Sequence, residues 1–177
     1  MDKNKVESII TEQGFNDFKW INPQEIIVAQ WVRMKCTYGC KDYGKRSCPP
    51  NTPPVNECKD FINEYSDGII IRVNKYIDKN SYPVEWAKDL TNKLLETERQ
   101  LFLSGFHKTF LFNYDCCTLC KNCVSNNIDC KDKKNARPSP EAFAIDVFQT
   151  VRNAGMKINV IAENPSEINR YAIVLIN

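Results

Sequence analysis

The stretch "CCTLCKNCVSNNIDC", Cys116 to Cys130, holds five of the chain's nine cysteines in fifteen residues. Four chemistries explain such crowding: disulfides, zinc ligation, a thiol redox pair, or the anchor of an iron–sulfur cluster. The chain opens "MDKNKVESII", without the apolar core of a secretory signal, so a cytoplasmic location is expected. Reducing conditions there disfavour structural disulfides, and an odd cysteine count fits a fully paired framework poorly. Metal binding is the expectation.

Within the loop, Cys117, Cys120, Cys123 and Cys130 form a C-x2-C-x2-C-x6-C array. Three thiolates at three-residue steps let one loop wrap a compact multi-iron core, as in the opening of bacterial [4Fe-4S] ferredoxin motifs. Zinc more often takes two C-x2-C knuckles across a longer spacer, because one tetrahedral ion needs ligands from two directions. The fourth cysteine lies six residues on rather than three, and zinc stays open as the alternative. A second loop, "CTYGCKDYGKRSCPP", supplies Cys36, Cys40 and Cys48, with Gly39 and Gly44 free to take positive φ in a tight turn. It has only three thiols. Cys58 and Cys116 are the candidates for a fourth, but Cys58 sits on the apolar stripe of a helix and Cys116 at a strand end, where packing explains each equally well. Cross-ligation between the two loops is a further possibility.

A cluster with four thiolates is anionic, and cations flank both loops: Lys41, Lys45 and Arg46 the first, Lys121, Lys131, Lys133, Lys134 and Arg137 the second. A solvated basic face accounts for them as readily. The single histidine, His107, reads as a surface or packing residue. No Ser–His–Asp set or phosphate-binding glycine loop is legible. Helix capping explains Asp146 and Glu141 as well as acid–base chemistry does.

The remainder reads as a scaffold for these loops. The 177 residues, 42% of them hydrophobic and 26% charged, suit a single domain over residues 1–177. A net charge of +2 with interspersed signs does not call for nucleic acid, and no apolar run is long enough to span a membrane. Helices are expected over residues 5–14, 55–65, 83–105 and 137–155, closed in three cases by Gly14, Gly105 and Gly155. In the last, Ser139 is the expected N-cap, with the helix's positive end facing the second cysteine loop. Strands are expected over 25–36, 68–73, 108–114, 157–162 and 171–176, the last at an edge or in a hairpin. This alternation predicts an α/β fold, a mostly parallel or mixed sheet with flanking helices. Both cysteine loops then follow strands and emerge at one sheet edge.

The motifs "CTYGCKDYGKRSCPP", "CTLCKNC" with Cys130, and "ARPSPEAFAIDV" together resemble a family of unknown function described as predicted metal-binding proteins of bacteria and archaea. The resemblance runs from Arg33 to Gly155 and implies an iron–sulfur type of metal protein, typical of anaerobes, without an assigned reaction. It matches Cys36, Cys40 and Cys48 to one metal site and Cys117, Cys120, Cys123 and Cys130 to another; Cys58 and Cys116 fall outside its motifs. Three functions compete. The first is an electron-transfer protein with two [4Fe-4S] clusters and a redox protein partner. The second is a small reductase or cofactor-maturation enzyme with an open iron at the three-cysteine site. The third is a zinc-stabilised interaction module.

Overall fold

A computed structural model describes residues 1–76, 84–124, 126–160 and 167–177. Helix α1 (Lys3–Glu12) is capped by Asp2, whose carboxylate accepts from the Lys5 backbone N–H, and it ends before Gly14 at φ +88°. Strand β1 (Phe18–Ile21) leads to α2 (Gln30–Gly39), then α3 (Val55–Asn63) and strand β2 (Asp67–Tyr76). The long α4 (Val84–Leu103) precedes the short β3 (Phe110–Phe112), and α5 (Val147–Asn153) precedes β4 (Glu167–Ile176).

The four strands form one sheet in the order β1-β2-β4-β3, and every pairing is antiparallel. The mostly parallel sheet is therefore corrected. The last strand lies in the middle of the sheet, not at its edge, and pairs with β2 over ten residues from Asp67↔Ile176 to Tyr76↔Glu167. Antiparallel sheets often leave one face to water, yet this one is covered on both. Ile69 and Ile71 face a core built with α1 and α4, through Val6, Ile10, Leu90, Leu94 and Leu101. Ile70, between them, faces a second core with Ile62 of α3, Phe143 and Val151. The uninterrupted apolar run of β2 is the alternation of a strand with two dry sides.

Three other expectations change. Residues 25–36 are not a strand: the β-branched Ile26–Val28 segment makes one isolated bridge, Val28 to Ile145, and the chain then enters α2. The helix over 137–155 is broken. Glu141–Phe143 form a single 3-10 turn, Ala144 turns left-handed at φ 59°, and α5 begins after it with Asp146 as its cap. The break has a tertiary cause. The Ala29 N–H donates to the Ala144 carbonyl and the Asp146 N–H to that of Ile27, so pairing with the Val28 segment outweighs helical continuity. Ser139 caps the 3-10 turn instead, accepting from the Ala142 N–H, and no long helix aims its positive end at the second loop. Residues 157–160 are not in a strand, and Ile161 and Ala162 lie outside the described residues.

Candidate metal centre

The first cysteine loop leaves a helix, not a strand. Cys36 lies in the last turns of α2 and Cys40 follows its end, four residues on, so both fall on one helical face. The chain then folds into successive tight turns. Cys40, Asp42, Lys45 and Cys48 carbonyls accept from the N–H groups three residues on, and the Gly44 N–H, at φ +90°, donates to the Pro49 carbonyl at 2.7 Å. Gly39, by contrast, stays helical as the last residue of α2. Arg33 fastens this knot to the body of the fold by donating to Thr52 Oγ1, the Pro53 carbonyl and the Ala142 carbonyl.

The second loop leaves the edge strand β3. Its start is pinned to α4, where Thr118 Oγ1 meets Thr91 Oγ1 at 2.8 Å and donates to the Ala87 carbonyl. Its far end is held by Arg137, which grips both carboxylate oxygens of Glu98. The two loops touch directly through Arg46, which donates to Asn127 Oδ1 at 2.9 Å.

All nine thiols are free, and eight of them line two cavities. The first, about 180 Å3, is walled by Cys36, Cys40, Cys48 and Cys116, with Asp42, Glu141 and Arg170. The second, about 20 Å3, is walled by Cys117, Cys120, Cys123 and Cys130, with Cys48, Lys45 and Arg46. Each cavity thus holds one of the two cysteine groups read from the sequence. Cys116, which the sequence left open as a fourth ligand or a packing residue, lines the first cavity, although it follows a strand far along the chain. The signal was its position beside Cys117, which sends consecutive side chains to different places.

Cys58 joins neither cavity. It is fully buried in the second core, donates to the Pro53 carbonyl at 3.3 Å, and receives Arg33 at 3.7 Å. His107 is also remote, packed edge-on against Phe102 on the surface.

Burial raises the pKa of Cys36, Cys116 and Cys117, and it pushes Cys48 up to about 12. As free thiols these groups are protonated near neutrality, so a metal entering must displace their protons. Basic groups stand ready to balance the resulting charge. Arg170 lines the first cavity, and its Nε is buried without a hydrogen-bond partner among the described residues, which suits an anionic occupant. Lys45 and Arg46 line the second, Lys45 paired with Asp42 and Arg46 with Asn127. Among the described residues no three His, Cys, Asp or Glu side chains are drawn together tightly enough to hold a single ion. Cys36, Cys40, Cys48 and Cys116 line the first cavity, whereas a single zinc ion needs every sulfur about 2.3 Å from one point. The second space is much tighter.

Among the described residues no helix is long and apolar enough to cross a membrane. Searches of curated proteins and of solved structures find no match to the chain. A family model does match, over residues 19–176, nearly the whole chain and both cysteine loops. The chain belongs to the predicted metal-binding protein family DUF2284.

Proposed function

We propose that the chain is an iron–sulfur protein that holds two [4Fe-4S] clusters and passes electrons to or from a redox protein partner. One observation carries this reading: eight cysteines line two cavities, four the first and five the second, with Cys48 common to both. Cys36, Cys40, Cys48 and Cys116 would hold one cluster, and Cys117, Cys120, Cys123 and Cys130 the other. When bound, such clusters supply one-electron redox chemistry. The chain supplies thiolates, nearby cations and a rigid frame in which α2, α4 and β3 fix the loops. A fourth thiol in the first set leaves little room for the reductase reading, which needs an open iron. The reading extends to a cytoplasmic protein of an anaerobe, where labile clusters survive.

The small volume of the second cavity favours one alternative, a zinc ion held by Cys117, Cys120, Cys123 and Cys130 as a structural site. Anaerobic purification followed by iron, sulfide and zinc analysis decides. Two clusters give roughly eight irons and eight sulfides per chain. One zinc and half that iron assigns the second site to zinc, and zinc without iron overturns the electron-transfer reading.

A further inference from the structure

Beside the first cysteine cavity lies a larger groove of about 790 Å3, between the outer face of α2 and the start of α5. Its walls are Trp31, Met34, Tyr38, Val147 and Phe148, and its volume falls in the range of roughly 300–1,000 Å3 typical of small-molecule sites. Trp31 and Tyr38, seven residues apart, share a helical face with Met34. The rings are held in place but not covered. The Lys35 ammonium sits 5.4 Å from the Trp31 ring centre and the Arg152 guanidinium 5.8 Å from that of Phe148, yet Trp31 is 50% exposed and Phe148 37%. Cys36, Cys40 and Glu141 line this groove and the cysteine cavity alike. Anything seated in the groove lies against the shell of the first metal site.

We propose that this groove binds an uncharged, flat, conjugated ring of the quinone class. The redox character of that ligand rests on the reading of the first cavity as an iron–sulfur site; the fit of a flat ring does not. Three aromatic side chains and a thioether offer ring faces and an adaptable apolar surface, which favour stacking over hydrogen-bonded recognition. The charged groups lining the groove are Lys35, Glu141 and Asp146, two carboxylates to one ammonium. The two cations at the groove, Lys35 and Arg152, each lie over an aromatic ring, and a nucleotide's phosphate would also meet the two carboxylates, so a neutral ring is selected over a flavin nucleotide.

The probe is 2,3-dimethyl-1,4-naphthoquinone, whose substituted ring edge resists thiol addition, titrated calorimetrically into the anaerobically purified protein. The expected result is one saturable site per chain, weakened about tenfold or more by Trp31→Ala and by Phe148→Ala. Phe102→Ala, on the exposed surface of α4, should leave binding unchanged. Flavin mononucleotide should not compete. The proposal is overturned if no saturable binding appears, if neither groove substitution weakens it, or if the flavin binds equally well. It is also overturned if Trp31→Ala dissociates a dimer, since a second copy would then cover the groove. Iron analysis of the same samples separates the two ideas: quinone binding without iron sinks only the cluster reading, and iron without quinone binding sinks only the groove.

Discussion

Cys116 and Cys117 are consecutive residues that line different cavities, Cys116 the one with Cys36, Cys40 and Cys48, and Cys117 the one with Cys120, Cys123 and Cys130. Their Cα atoms are held about 3.8 Å apart by one peptide unit. Cys48 adds a second link, because it borders both cavities. The two candidate sites are joined by covalent structure.

Cys116→Ser should therefore remove one metal centre, about half of the bound iron, as should Cys48→Ala at the least. Cys58→Ala should leave metal content intact while costing on the order of 1 kcal/mol of stability, the effect of trimming a buried packing residue. Metal analysis with denaturant unfolding checks both. If Cys58→Ala strips a whole centre and Cys116→Ser strips none, the fourth ligand has been assigned to the wrong residue.

The shared peptide leads to a spectroscopic expectation. Fully reduced protein should show an electron paramagnetic resonance spectrum broadened by interaction between two spins, and Cys116→Ser should simplify it to that of one isolated centre. A wild-type spectrum that is only the sum of two independent signals would falsify the close arrangement, even with both clusters present.

Which cysteines line a common cavity was partly legible in the sequence, and less of the fold was. Spacing alone grouped Cys117, Cys120, Cys123 and Cys130, because short-range steps along a loop determine which side chains can meet. Cys116 was not separable from a packing residue by spacing; its partners lie 68 to 80 residues earlier, and only tertiary structure brings them near. The same distance problem affected the sheet. β1 is four residues long, too short for a clear pattern, and β4 enters between β2 and β3 through pairings no local signal records. The Ile26–Val28 segment carries a true β preference that is spent on a single bridge, after which Gln30–Gly39, with its Gln, Arg, Met and Lys, turns helical. Caps and stops at Gly14 and Gly105 were readable because their cause is local.

Ile70 tests the two-sided sheet. It is fully buried in the core with Ile62, Phe112 and Ile173, on the opposite face from Ile69 and Ile71. Ile70→Ala should cost about 2–5 kcal/mol, similar to Ile71→Ala, since both faces are dry. Guanidinium unfolding curves of the two variants provide the comparison. A near-neutral Ile70→Ala would mean that the face under α3 and α5 is solvated.

Glu98 joins the edge strand to the second cysteine loop. One oxygen of its buried carboxylate accepts from the Leu111 N–H of β3 at 2.9 Å, and both accept from Arg137 Nε, at 3.0 and 2.8 Å. Arg137 in turn donates to the Lys134 carbonyl, holding the end of the loop that follows Cys130. Removing the carboxylate leaves a buried backbone N–H unpaired and a partly buried guanidinium without its counter-charge. Glu98→Ala should thus cost roughly 3 kcal/mol, and Glu98→Gln less, because its amide oxygen still serves Leu111. Arg137→Ala should fall between them in stability but loosen the loop more directly. All three should speed loss of metal from the second site to a chelator while leaving the first site's rate near wild type. Equal acceleration at both sites would show that Glu98 stabilises the whole domain rather than this loop.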